Sequence, residues 1–431
     1  MIKKIFGVFI CMLLVVTVLP VSAHMDTKEM TVGNDGTLSG YVNDTSMNPI
    51  QGARVRVLFH GTFEEDYTDS SGYYHVTNIP ICYCMKNCVA SKIGYKREQV
   101  LLAIVEDTTH DFILSTSDIL FVGGSGPDNY TKIQDAIDDS KDGNTVFVFD
   151  DSSPYYENLV IDKSINLIGE NKDNTIIDGE GKEEIAMIVL KEDGITVQGF
   201  TIKNGSHHNG TGWGVGIKVL SDFAVIRDNI VTQNSAGIYL GEIQQRYANN
   251  SIIQENIITK NREFGIYVHF SYDNIITENI ITSNKYHGIF LCWETGNNLV
   301  TSNNVSLHEQ IGIWISSTDE NTIQHNSIRD NREGVIISSS CKNKVIENNI
   351  YNNKINAMVN GETFGLFLDK WLYNTFDGNY WGRAMFFPKV IFAGCILILP
   401  NFIWTLIFQL PPLFIPTVVF DLHPASEPFD I

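Results

Sequence analysis

The chain has 431 residues, 43% of them hydrophobic and 19% charged, a composition that supports a packed core and excludes an intrinsically disordered chain. Fifty acidic against thirty basic side chains leave a formal charge of −20 at pH 7, so nucleic acid and anionic lipid surfaces would be repelled. At ~150 residues per domain the length allows two or three domains, or more in an elongated repeat array.

The N-terminus reads as an address. Met1-Ile2-Lys3-Lys4 is a positive start, residues 5–19 are apolar apart from Gly7 and Thr17, and Val21-Ser22-Ala23 ends in small residues, which predicts a signal peptide over 1–23 and export to an oxidising compartment. The apolar run, of about 15, falls short of the ~20 residues a membrane span needs, which disfavours a retained anchor. Past it stand Cys82, Cys84, Cys88, Cys292, Cys341 and Cys395. The first three are compatible with a local disulfide, a soft-metal site of three thiolates, or buried free thiols. Without paired Cys-x-x-Cys spacing or a fourth ligand, structural or disulfide roles are favoured.

Over 36–115, β-rich runs at 37–41, 53–59, 73–77, 88–91 and 109–114 alternate with turn signals at Asn48-Pro49, Ser71-Gly72 and Ile93-Gly94, predicting a small antiparallel sandwich. Gly40-Tyr41-Val42, Pro49-Ile50-Gln51-Gly52-Ala53, Thr68-Asp69-Ser70-Ser71-Gly72-Tyr73-Tyr74 and Gly94-Tyr95 resemble the carboxypeptidase regulatory-like domain. That resemblance implies an accessory or adhesive module without an active site. The cysteine cluster departs from it, standing where that family more often has a Pro-Gly-x-Tyr turn.

Residues 130–140 carry Ile133, Ala136 and Ile137 on one helical face, predicting a helix that caps the open end of a repeat array. Short β runs at 145–149, 159–161, 165–168, 175–177, 188–190 and 195–202 read as irregular coils of that array. From about residue 220 the repeat becomes regular: Asn229, Asn256, Asn279, Asn303, Asn326 and Asn348 are 27, 23, 24, 23 and 22 residues apart. Asn274, Asn298, Asn321 and Asn343 precede them by five, and Asn234, Asn261, Asn284, Asn331 and Asn353 stand five beyond, with His308 replacing Asn once. Ile253, Ile276, Val300, Ile323 and Val345 form one aliphatic column; Val231, Ile258, Ile281, Val305, Ile328 and Ile350 form another. A period this short with three β runs and no helix makes each repeat one turn of a solenoid, and the Leu ladder of leucine-rich repeats is missing. The expected fold is therefore all-β: the sandwich over 36–115, then a right-handed parallel β-helix over 119–382 with a short N-terminal capping helix. The Asn residues are expected to take left-handed backbone angles at corners and to bond their amides to neighbouring rungs.

Gly123-Gly124-Ser125-Gly126-Pro127-Asp128-Asn129-Tyr130-Thr131-Lys132-Ile133-Gln134-Asp135-Ala136-Ile137, Thr175-Ile176-Ile177-Asp178-Gly179, the Asn-Ile-Ile-Thr repeats and Asn379-Tyr380-Trp381 resemble the pectin-lyase-like superfamily, within it the NosD-type periplasmic copper-binding β-helix proteins. The resemblance implies the fold; its members span lyases, hydrolases and adhesins, so it leaves activity open.

Coils about 4.8 Å apart place equivalent residues on top of one another. Tyr239, Tyr267, Phe290 and Trp314, each the x of a Gly-Ile-x-aliphatic strand, are expected to form an exposed outward ladder ~15 Å long by strand spacing. It would suit sugar faces or a partner protein, or serve only to stack the sheet. His269 and Cys292, two residues further on the same face, are vertical neighbours but an incomplete copper site, with isolated surface residues the favoured reading. Asp228, Glu255 and Glu278 stack at separations of about 5 and 10 Å, which straddle those of glycosidase carboxylate pairs. A solvated acidic edge, able to hold Ca²⁺, is the plainer reading. Residues 390–420 carry no charge over 31 positions, predicting that 383–431 is a hydrophobic cap for the solenoid or a membrane-associated tail, rather than a true span. Together these features predict a secreted or surface-attached protein, non-catalytic and without a required cofactor. It would bind polysaccharide or a partner protein through the ladder, with a polysaccharide hydrolase or lyase and a copper-binding accessory protein as alternatives.

Overall fold

The computed structural model describes residues 35–59, 62–81, 85–92, 94–126, 129–180, 186–205, 214–242, 247–360, 374–383, 389–396 and 414–431, by backbone alone at 392–396 and 414–418. The expected signal segment, Cys82, Cys84 and 397–413 lie outside these residues.

Two four-stranded sheets make the N-terminal sandwich. In one, Thr62–Tyr67, Arg54–Phe59, Met85–Ser91 and Glu98–Ala103 run antiparallel. In the other, Gly36–Asp44 pairs antiparallel with Tyr73–Ile79 but parallel with Thr108–Thr109 and Phe112–Leu114, so that sheet is mixed where sequence predicted an antiparallel one. Thr62–Tyr67 and Glu98–Ala103 escape the sequence reading because both are edge strands, whose polar residues need satisfy no second neighbour. Alternate residues Leu38, Val42, Val55, Val57, Tyr74 and Phe112 fill the core. Cys88 is buried among them as a free thiol, and burial pushes its pKa up to about 11, as for a packing residue rather than a thiolate ligand.

The rest of the described chain is a parallel β-solenoid. Each coil contributes three short strands, for example Val225–Arg227, Ile230–Thr232 and Ala236–Leu240. Each strand pairs in parallel with its equivalent one coil on: Ile226 with Ile253, Val231 with Ile258, Ile238 with Ile266. The two aliphatic columns read from sequence are fully buried, joined by a third of Ile238, Ile266, Ile289 and Ile313. Between the third column and the second stands a row of glycines. A Cβ on Gly265 would sit 2.6 Å from the Gly288 carbonyl and 2.7 Å from Ile281 Cγ2, closer than any real contact, so only hydrogen fits where successive coils turn.

Asparagine side chains tie the corners together. In the central ladder, Asn229 donates its backbone N–H to Asn256 Oδ1 (3.1 Å), Asn256 to Asn279 (3.0 Å) and Asn279 to Asn303 (3.0 Å). The ladder continues through Asn326, Asn348 and Asn379. Each amide Nδ2 also donates to the next Oδ1 and, two residues back, to a carbonyl such as Gln254 O (2.9 Å) or Thr277 O (2.8 Å). The left-handed residue is not the Asn, as expected from sequence, but the one before it: Asp228, Glu255, Glu278, Ser302, His325 and Glu347 have φ between 52° and 58°. The Asn amide reaches across that residue to the preceding carbonyl, offsetting a left-handed cost of roughly 1–2 kcal/mol.

Both ends are closed. The helix Ile133–Asp139 buries Ile133, Ala136 and Ile137 against the first coils, as its periodicity predicted. Its first two N–H groups donate to Glu157 Oε1 and Oε2 at 2.9 and 3.0 Å, a distant carboxylate standing in for a local cap. At the other end Lys389–Ile396 pairs in parallel with the last regular coil and antiparallel with Phe414–Asp421. The pairing of Ile396 with Phe414 brings both ends of 397–413 to one place. Asp421, fully buried, ends the central ladder: its Oδ2 accepts from Asn379 N (3.0 Å), Asn379 Nδ2 (3.1 Å) and Trp381 Nε1 (3.0 Å). The final rung only accepts, which is what a carboxylate does.

Asn279→Ala strands donors and acceptors on three coils and is expected to cost about 3 kcal/mol, read as a lower urea midpoint than wild type. His308, the substitute in the third ladder, accepts the Asn284 N–H on Nδ1 (3.1 Å) and sets Nε2 3.1 Å from the Ile281 carbonyl, an arrangement that needs a neutral ring protonated on Nε2. Burial lowers its pKa to about 4, and burial together with the charge of His308 lowers that of His287 to about 4. The unfolded chain takes up these protons first, near pH 6.5. Stability should therefore be full above pH ~6.5 and fall progressively toward pH 4, by on the order of 3 kcal/mol per histidine. His308→Asn should flatten the fall measured by thermal unfolding across that range.

Candidate functional site: an aromatic column on the outer face

On the outer surface of the third sheet, Lys218, Tyr239, Tyr267, Phe290, Trp314, Ile336 and Met358 occupy one register position on successive coils. The four aromatic rings stack as their spacing requires. Centroids are 4.8 Å apart for Tyr239–Tyr267, 5.2 Å for Tyr267–Phe290 and 4.2 Å for Phe290–Trp314, with interplanar angles of 22°, 16° and 11°. Lys218 Nζ lies 5.8 Å from the Tyr239 ring centroid, at one end of the column.

The column is less open than the sequence suggests. Tyr239 and Tyr267 are each only 9% exposed, while Phe290 and Trp314 are half-buried. Phe264 covers the lower part, its ring 5.2 Å from Tyr267 and 5.6 Å from Phe290. His287 fills the equivalent place one coil on, 5.0 Å from Trp314. Strict alternation would turn Phe264 and Tyr267 to opposite faces. The ladder keeps its register through the glycine row, pairing Ala236 with Phe264 and Ile238 with Ile266, yet alternation breaks at the glycine, and the residue before it shares the outer face, with the Phe264 ring stacked on Tyr267. The signal was the bulky residue at that position, Phe264 before Gly265 and His287 before Gly288. The accessible part of the column is thus Phe290 and Trp314; Trp293, 56% exposed, follows the strand His287–Cys292, its ring 5.8 Å from that of His269.

His269 and Cys292 are register partners, as predicted, but not the surface residues expected: they are 1% and 2% exposed. The large rings beside them bury both positions. The imidazole lies 5.6 Å from the Tyr267 ring, and burial lowers its pKa. Its Nδ1 has no hydrogen-bond partner among the described residues. The Cys292 thiol donates to Tyr267 Oη at 3.2 Å, and burial pushes its pKa up to about 12.

Asp228, Glu255 and Glu278 stand one per coil at the left-handed corner, where the backbone turns their side chains outward. Glu255 and Glu278 are exposed. Asp228 pairs with Lys172 Nζ at 2.5 Å, and Glu278 Oε2 accepts from Gln254 Nε2 at 2.7 Å. The three carboxylates stack, but the rungs of a solvated edge rather than the walls of a cleft hold them.

A stacked parallel β-solenoid with an aromatic outer column is the class of protein this geometry defines. The chain belongs to the family described as periplasmic copper-binding protein (NosD), whose model matches residues 137–314 and 243–385. Among solved structures it is similar to the mannuronan C-5 epimerase AlgE6 A-module of Azotobacter vinelandii, at 16% identity over 59% of this chain and 82% of that one, with a TM-score of 0.39. The AlgE4 A-module of the same organism gives 18%, 58%, 83% and 0.40, and the Dettilon tailspike protein 14%, 61%, 62% and 0.43. None of these carries an activity over to this chain. No curated protein matches the sequence.

The described residues do not fit a copper centre. No three His, Cys, Asp or Glu side chains among them converge on a point. The one vertical His–Cys pair carries a thiol whose burial opposes the thiolate a copper ligand must be. Peptide-level mass mapping after brief treatment with a thiol reagent should accordingly find Cys292 unlabelled in the native protein and labelled in urea, with half-buried Cys341 modified ahead of buried Cys88 and Cys292.

Proposed function

We propose that the protein is an extracytoplasmic, non-catalytic glycan-binding module whose docking surface is the open end of the aromatic column. The observation that carries this reading is the near-parallel Phe290–Trp314 pair, 4.2 Å apart and partly exposed to solvent. Flat apolar rings on a rigid sheet receive the C–H faces of sugar rings with little ordering cost. The column repeats at the coil spacing, so a polymer has more than one ring to lie on. The leader-like residues 1–23 and the family's periplasmic description support a location outside the cytoplasm. The sandwich over 36–115 serves on this reading as the accessory module, the solenoid over 119–382 as the binding body.

A glycan array comparing wild type with Phe290→Ala and Trp314→Ala tests it. Each substitution should weaken binding about tenfold, the loss of one stacked ring, with circular dichroism showing that each variant keeps its β fold. Equal binding by all three would remove the platform. Release of reducing or unsaturated ends from a bound glycan, lost in Glu255→Gln, would instead favour the hydrolase or lyase alternative.

A second observation favours membrane attachment at the solenoid's C-terminal end. Residues 390–420 are uncharged, and Lys389–Ile396 pairs antiparallel with Phe414–Asp421 at the solenoid's end, which supports contact of this part of the chain with a lipid surface. Wild type should float with neutral phosphatidylcholine vesicles, and a variant with 397–413 replaced by a Gly-Ser linker should stay in the soluble fraction.

A further inference from the structure

A cleft of about 390 Å³ lies where the sandwich meets the first solenoid coil. Its sandwich wall is the turn carrying Lys92, Tyr95, Lys96 and Arg97; its solenoid wall includes Phe121 and Asn129. The turn is stitched to the segment leading into the solenoid: Lys96 N donates to Ser115 O at 2.7 Å, and Ser117 N to Gly94 O at 2.9 Å. Tyr130 N donates to Phe121 O at 2.8 Å, fixing the opposite wall. The two walls are therefore held by backbone bonds, and the cleft is a preformed feature of the fold.

Its charge runs against that of the molecule. In a chain of net −20, the described lining holds three cations and no carboxylate. Lys92 Nζ is directed to the Gly52 carbonyl at 3.2 Å. Lys96 and Arg97 are exposed and form no ion pair among the described residues. Facing them is an aromatic surface, since Phe121 is 40% exposed and its ring is stacked 5.8 Å from Phe149. Cations that accept an oxyanion beside a flat apolar ring, in a cavity at the lower end of small-ligand size, define one ligand chemistry.

We propose that this cleft binds an anionic sugar residue, its oxyanion on Lys96 and Arg97 and its ring against Phe121. A guanidinium engages a carboxylate or phosphate through two parallel N–H donors, and the aromatic wall selects a sugar over a free anion. The site is separate in space from the aromatic column and does not depend on the function proposed for it.

The test is isothermal titration of the full chain with trigalacturonate, glucose 6-phosphate, maltotriose and inorganic phosphate, for wild type, the K96E/R97E double variant and Trp314→Ala. The expected result is binding of trigalacturonate, glucose 6-phosphate or both, at least tenfold tighter than maltotriose or inorganic phosphate. K96E/R97E should abolish that preference while keeping the wild-type unfolding temperature, because both side chains are exposed. Trp314→Ala should leave it intact. Which of the two charged probes binds identifies the oxyanion as carboxylate or phosphate. No binding of either charged sugar, unchanged binding in K96E/R97E, or inorganic phosphate binding as well as the sugars would overturn the proposal. Loss in Trp314→Ala alone would assign the binding to the aromatic column instead.

Discussion

The structure depends on one constraint: residues a coil apart in sequence must sit directly above one another, in register, about 4.8 Å apart. Buried amides enforce it. An Asn side chain is long enough to reach the next rung's amide and short enough to reach back across one left-handed residue to a carbonyl, so it satisfies the corner and the stack with the same group. A slip of one residue would leave a column of amides unpaired in an apolar interior, at a cost of roughly 1–3 kcal/mol for each stranded group. The aliphatic columns supply most of the driving force for burial. The amide ladders decide which register that burial adopts.

The exceptions in the ladders obey the same logic. His308 replaces Asn because a neutral imidazole also offers one acceptor and one donor, though this makes the rung sensitive to acid. Asp421 replaces it where the ladder has no further rung. A solenoid whose coils contact only their neighbours gains stability coil by coil, so its ends are the weak points. Here one is covered by a helix and the other by a hairpin that adds strands to the last coil.

On the outside the same registration turns one residue per coil into a continuous surface. The aromatic column is cohesive because its rings are held at sheet spacing, and for the same reason it is partly closed, since Phe264 and His287 are brought to the same face by the irregularity at the glycines. Stacking that stabilises the sheet and stacking that leaves rings free to receive a ligand thus occupy different parts of one column. The lower rings are buried beneath Phe264, and the upper pair, flanked by Phe264 and His287, stays partly exposed. The basic cleft at the other end of the solenoid arises differently, from two unlike units meeting at a short backbone-bonded junction.

The repeat was legible in the sequence because its signals are periodic: Asn229 to Asn348, the two aliphatic columns and the Gly-Ile-aromatic strands recur at spacings that stacked coils satisfy, and the capping helix was legible from the 3–4 residue spacing of Ile133, Ala136 and Ile137. The vertical pairs Tyr267–Phe290 and His269–Cys292 came from that period alone. What it left undetermined was local and three-dimensional. Which corner residue turns left-handed depends on how the Asn amide reaches its carbonyl. Whether Tyr267 and His269 meet solvent depends on a neighbour displaced by the glycine row. The edge strands Thr62–Tyr67 and Glu98–Ala103 carry no strong pattern, because an edge makes few demands on its residues. The sequence by itself determined the period, and with it the fold and the order of the columns, since periodic burial has one stacked solution. The tertiary structure alone decided which faces of those columns stay open, because exposure is set by residues that come together only after the coils have closed.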